Sequence, residues 1–183
     1  MKFRSIPLSG AYVIKLEPFK DDRGIFCRLF CSREMLEIGF TKEIKQINKS
    51  STPLQGTIRG LHFQHPPMAE VKIVQCIRGS VFDVIVDIRK GSPTFLQWHG
   101  EILNYDDFKM VFVPEGFAHG FQILEPNSEL LYFNSECYDP KHEDGLRYND
   151  PLIGIKWPIV VSSISEKDGC HPLLSNQFVG ISI

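Results

Sequence analysis

Proline and glycine recur roughly every 10 to 20 residues along this chain, and only short apolar runs lie between them. A helix seldom fits between such breaks, whereas strands of 4–8 residues do, so the spacing predicts an all-β sandwich or barrel. The clearest strands are residues 71–77 and 81–89, joined by Arg78-Gly79-Ser80. Both are rich in β-branched residues on both faces, as strands buried in a two-layer core should be. Residues 109–114 and 129–136 read as two more, with others at 11–16, 24–30, 58–64 and 96–103. Helix is scarce. Ser32 is placed to cap a short one through Ile38, closed by Gly39. Residues 152–154 and 165–168 add single turns. The expected fold is a β-barrel or jelly roll, which hides its strand edges, with a few short helices.

The 183 residues suit one domain, 1–183, with a substantial core. With 43% hydrophobic and 23% charged residues, the composition is that of a soluble globular protein. A formal charge of −2 gives no overall field to attract nucleic acid or a membrane surface. No apolar run approaches the roughly 20 residues that span a bilayer. The opening Met-Lys-Phe-Arg-Ser-Ile-Pro lacks a signal-peptide core, so a cytoplasmic protein is expected. Five cysteines, at 27, 31, 76, 137 and 170, form no CxxC pair and read as buried free thiols.

Against this plain background, Gly56 to Lys72 gathers Arg59, His62 and Lys72 around one strand. A histidine takes a proton near neutral pH, and a nearby cation stabilises the anion that remains. That pairing suits chemistry at a carbon beside a carbonyl. Alternation puts His62 and Gln64 on one face, Leu61 and Phe63 on the other. Lys72 shares its face with Val74 and Cys76, although an unpaired ammonium is expensive to bury. The competing readings are a core histidine held by hydrogen bonds and a lysine at a strand end with its head in water. Tyr132 and Tyr138, six apart, share a face if one strand carries both. Their hydroxyls would be protonated acids at neutral pH, or two aromatic packing residues.

A metal reading competes. Pro114-Glu-Gly116-Phe-Ala-His119, with His62, His65 and Glu70 upstream, looks like a degraded pair of cupin metal motifs. The upstream half is His-x-x-His, whose spacing sets His62 and His65 on opposite faces, and Pro66-Pro67 follows. The pattern therefore leaves open a metal-dependent cupin oxygenase or isomerase, and a non-catalytic sugar-binding cupin.

Six blocks decide between these. Thr57-Ile-Arg-Gly-Leu-His-Phe-Gln64, Val71-Lys-Ile-Val74, Phe82-Asp-Val-Ile-Val-Asp-Ile-Arg89, Val113-Pro-Glu-Gly-Phe-Ala-His-Gly-Phe121, Tyr148-Asn-Asp-Pro151 and Ile164-Ser-Glu-Lys-Asp168 resemble, in order, the dTDP-4-dehydrorhamnose 3,5-epimerase family. The resemblance implies a metal-free, cupin-like jelly roll that needs no cofactor, a homodimer, and a nucleotide-linked 4-keto-6-deoxy sugar as substrate. By matching position it implies His62 as general base, Asp168 as the carboxylate orienting it, Lys72 as the cation near the C4 oxygen and Tyr132 as the acid on the opposite face. It implies Arg59, Gln46, Asn48, His119 and Tyr138 as residues lining the sugar or phosphates, and Arg23 as a diphosphate contact. Protons at C3 and C5 are acidic because C4 is a ketone. A fixed cation or donor at the resulting enolate oxygen is worth about 3–4 kcal/mol. One departure stands out: where many family members have glutamate, in Arg-Gly-x-Phe-x-Glu, this chain has Arg28. An arginine only donates hydrogen bonds, so the nucleotide is open between dTDP, first, and GDP or CDP, carrying a hexose or heptose.

Overall fold

The computed structural model describes residues 1–183. Thirteen strands and two short helices follow one another: β1 (Lys2–Ser5), β2 (Tyr12–Lys15), β3 (Phe19–Asp21), β4 (Gly24–Phe26), α1 (Ser32–Met35), β5 (Gln46–Thr52), β6 (Ile58–Gln64), β7 (Lys72–Arg78), β8 (Ser80–Asp87), β9 (Trp98–Asn104), β10 (Lys109–Val113), β11 (Phe117–Ile123), β12 (Ser128–Asn134), β13 (Glu143–Gly145) and α2 (Glu166–Cys170). One sheet has the order β1-β2-β10-β7-β12-β5 and the other β13-β6-β11-β8-β9. All the pairings within these sheets are antiparallel. The two antiparallel sheets give the expected jelly roll.

Period-2 side chains explain the layers. Val74, Cys76, Val111, Val113 and Leu130 of the first sheet meet Val81, Ile85, Phe121 and Ile123 of the second in one core. The outer faces are covered too. Ile14, Ile73, Met110 and Phe133 pack outward beneath Phe30 and Phe40, and Leu61, Phe63, Val84 and Val86 pack against Trp157 and Phe178. Strands covered on both faces read as continuous apolar runs, which is why β7 and β8 were legible.

Three local expectations shift. The strand foreseen at 24–30 stops at Phe26, because Cys27, Leu29 and Phe30 turn inward onto the outer cluster. Cys31, not Ser32, precedes α1, and the following 3₁₀ turn ends on Gly39 at φ +76°, the left-handed position that favours glycine. All five cysteines are free, but only Cys76 is buried, while Cys137 and Cys170 are exposed. No helix is long and apolar enough to cross a membrane.

Candidate active site

At one end of the sandwich the sheets part around a cavity of about 750 Å³. Its walls come from β5, β7 and β12 on one side and β6, β11 and β13 on the other, with α2 closing the rim. Among its lining residues are Gln46, Asn48, Arg59, His62, Lys72, His119, Tyr132, Tyr138 and Asp168. These are nine of the residues singled out in the sequence.

Arg59 and His62 are three apart, so simple alternation would turn them to opposite faces. A bulge corrects this. Phe121 pairs with Arg59 and His119 with His62, so two steps along β11 match three along β6. Such a bulge re-aims a side chain, and both residues reach the cavity. Gly60 sits inside the bulge at φ +110°, and a Cβ there would lie 2.7 Å from the His119 carbonyl oxygen. Only glycine fits this approach.

His62 Nε2 lies 2.7 Å from Asp168 Oδ1. The Gly60 N–H donates to the other carboxylate oxygen at 3.0 Å, and Ser165 caps α2 by accepting from the Asp168 N–H. Burial pushes the Asp168 carboxyl up, but its hydrogen bonds with His62, Gly60 and Ser165 outweigh this and hold it below the usual carboxylate range. An ionised Asp168 only accepts, so Nε2 carries a hydrogen and Nδ1 is left as the basic nitrogen of the neutral ring.

On the facing wall, the Tyr132 hydroxyl is 3.0 Å from Ser50 Oγ. Burial drives its pKa well above the ordinary phenol value, against the pull of the Ser50 hydrogen bond. It therefore keeps its proton and is able to give it up only to a strong base. His119 lies between the walls, paired with His62 across the strands and edge-on to Tyr132 at 6.3 Å between ring centres. It is buried, with Nε2 2.8 Å from Asp83.

Lys72 is not a lysine with its head in water. Its side chain is 15% exposed, and Nζ is 3.1 Å from Glu70. Glu70 entered the sequence reading only as a candidate metal ligand; here it is the ammonium's counter-ion. The other residues of the cupin-like pattern also have separate partners. His65 is bonded to Asp144, and Glu115 is paired with Lys42.

Tyr138 lies beyond β12, so the shared-strand argument does not apply to it. It reaches the rim from a loop and donates to Glu143 Oε2 at 2.8 Å, while Lys167 pairs with the same carboxylate. Gln46 Oε1 accepts from the Tyr138 N–H, and Arg59 donates to Thr52.

Arg23 and Arg28 are not brought to the cavity of their own chain. The β3–β4 hairpin stands apart from both sheets. Arg23 folds back on Asp21 at 2.6 Å, and Arg28 pairs with Glu34 at 2.7 Å. The amino terminus and Arg28 hold Glu34 down to about 2. Phe19, Ile25 and Phe26 of this hairpin are exposed.

Residues that sequence reasoning missed are Ser50, Glu143 and Lys167. The polar alternation Gln46-x-Asn48-x-Ser50-x-Thr52 was the available signal for the first. Lys167 adjoins Asp168, and Glu143 carried no signal.

A sequence model described as dTDP-4-dehydrorhamnose 3,5-epimerase matches residues 5–176. The chain is 43% identical over 171 residues to the dTDP-4-dehydrorhamnose 3,5-epimerase of Salmonella typhimurium, covering 91% of this chain and 93% of the relative. It is 38% identical over 175 residues to that of Sinorhizobium fredii, covering 95% and 90%. A crystal structure of the Bacillus anthracis enzyme with TDP and PPi bound superposes with a TM-score of 0.91 at 40% identity, covering 94% of this chain and 99% of that one.

Proposed function

The chain belongs to the dTDP-4-dehydrorhamnose 3,5-epimerase family, and on that footing we propose that it inverts C3, C5 or both in a dTDP-linked 4-keto-6-deoxy sugar. The observation that carries the proposal is the opposition of His62, held by Asp168, and Tyr132, on facing sheets of one cavity.

The reaction divides between the walls. His62 Nδ1 removes the proton from a carbon beside the C4 ketone, and the electron pair moves onto the C4 oxygen. The Lys72 ammonium stabilises that enolate, a contribution of about 3–4 kcal/mol for a preorganised donor. Tyr132 then returns a proton from the other face, and the centre is inverted. Arg59, Gln46, Asn48, His119 and Tyr138 bind the sugar and diphosphate. The chemistry uses no redox or metal cofactor, since the ketone already supplies the acidity. Activity is therefore expected to survive exhaustive chelation; loss restored by one divalent ion would return the metal-dependent cupin reading.

The chain works as a cytoplasmic homodimer in this proposal. The β3–β4 hairpin, with its exposed Phe19, Ile25 and Phe26, extends to the partner's cavity and delivers Arg23 and Arg28 there. A fully active monomer by light scattering at micromolar concentration would exclude it.

The activity is tested by NMR of dTDP-, GDP- and CDP-linked 4-keto-6-deoxy sugars incubated with the protein in deuterated water. Deuterium should enter C3, C5 or both, fastest with dTDP. No incorporation into any of them would sink the epimerase reading.

A further inference from the structure

Five buried side-chain atoms have no hydrogen-bond partner: Gln75 Oε1, Asp83 Oδ1, Asn134 Oδ1, Arg147 Nε and His171 Nε2. Of these residues only Asn134 lines the cavity. It is 5% exposed, so water outside the protein does not satisfy it, and a buried polar atom left unpaired is costly.

Its neighbours make the position informative. Asn134 is the last residue of β12, paired with Lys72 of β7 on one side and Gln46 of β5 on the other. Directly opposed residues share a face of the sheet, so the three form a row across the cavity wall, with Cβ atoms about 5 Å apart. The two outer members already have partners within the chain: Lys72 has Glu70, and Gln46 has the Tyr138 N–H. The middle carbonyl has none. A row whose outer members each have a partner within the chain, and whose central carbonyl has none, fits a ligand group that enters the cavity.

We infer that Asn134 is a specificity-determining residue for the sugar, its side-chain amide hydrogen-bonding the C3 hydroxyl of the substrate. This inference rests on the epimerase reading. There Lys72 faces the C4 oxygen, and Asn134 stands one strand away, within reach of a substituent on a carbon flanking C4. In a 6-deoxy sugar the C5 side carries a methyl group, so the flanking hydroxyl is the one at C3. A hydroxyl both donates and accepts, and an amide meets it in either orientation. A site with a buried acceptor discriminates strongly against an analogue that lacks the hydroxyl, because the acceptor then stays unpaired.

The test compares two substrates and two proteins. Deuterium exchange at C5 is measured for the dTDP-linked 4-keto-6-deoxy sugar and its 3-deoxy analogue, with wild type and Asn134→Ala. On the hydroxylated substrate, Asn134→Ala should lower kcat/KM about tenfold. On the 3-deoxy analogue the two proteins should agree within about twofold. Asn134→Leu, which keeps the branching at Cγ and removes the polar atoms, should repeat the pattern if the alanine variant is poorly folded by circular dichroism. An equal loss on both substrates would make Asn134 a structural residue, and no loss on either would remove it from the site; both outcomes overturn the inference while leaving the epimerase intact. Failure of wild type to exchange either substrate would instead overturn the epimerase reading and this assignment with it.

Discussion

The two walls of the cavity treat a proton in opposite ways, although burial acts on both. On the β6 wall, burial pushes the Asp168 carboxyl up, yet its hydrogen bonds with His62, Gly60 and Ser165 hold it below the usual carboxylate range. On the β12 wall, Tyr132 has only the Ser50 hydrogen bond to set against burial, and burial wins. The donors aimed at Asp168 outweigh its burial, whereas the single hydrogen bond to Tyr132 does not. In the proposed reaction the β6 wall receives a proton and the β12 wall releases one, as inversion through an enolate requires.

The largest test of this contrast is His62→Ala, which removes the receiving group. Deuterium exchange at C3 and C5 should fall by about 10³-fold or more. Exchange at the wild-type rate would leave the β6 wall without its role. Asp168→Asn should follow with a loss of about 10²-fold. The new amide is able to donate to Nε2, which stabilises the tautomer whose Nδ1 carries hydrogen and cannot act as a base. Rates that match wild type would show that the ring needs no carboxylate to hold its tautomer.

Tyr132→Phe probes the other wall and should separate two events. The variant should still wash deuterium in from the His62 side but fail to invert the centre, read by NMR of the product. Full inversion would move the acid role to Tyr138. A subtler consequence concerns stability. An unfolded tyrosine loses its proton near pH 10, whereas folded Tyr132 keeps it to higher pH. Below pH 10 both states bind the proton and the difference vanishes. Above it the unfolded state holds fewer protons, so wild type should lose stability as pH rises. Urea midpoints measured from pH 9 to 11.5 should fall more for wild type than for Tyr132→Phe, and parallel curves would mean the phenol is not desolvated.

The smallest effect is expected from the hairpin. Arg28→Glu should change the relative affinities of dTDP, GDP and CDP by a few-fold in calorimetry, because an arginine only donates while a glutamate only accepts. An unchanged order would confine Arg28 to its ion pair with Glu34.

These regions also differ in how well they could be read from sequence. The core strands β7 and β8 were plain, since both faces of each are covered by apolar side chains. Strand β5 was missed because its inward face is Gln46, Asn48 and Ser50, which line a polar cavity rather than a core. Strand β11 was read as a motif, not a strand, because His119 and two polar or glycine neighbours interrupt its apolar pattern. His62 and Lys72 were found from local chemistry. Asp168 lies 106 residues from His62, and no local pattern links them; only the family resemblance did. Glu70 was visible but misassigned, since spacing alone does not tell a metal ligand from the counter-ion of a lysine two residues on.

The β6 bulge makes the active site depend on parity. Because Arg59 and His62 share the cavity through one extra residue, their common facing is a matter of counting, not of chemistry. Inserting one residue between them would set four steps along β6 against two along β11, moving the downstream segment one register step and turning His62 to the opposite face. Insertion scanning of 59–62 should therefore be far less tolerated than conservative substitution at the non-glycine positions there. This one strand holds the frame in which the proposed catalytic groups are read.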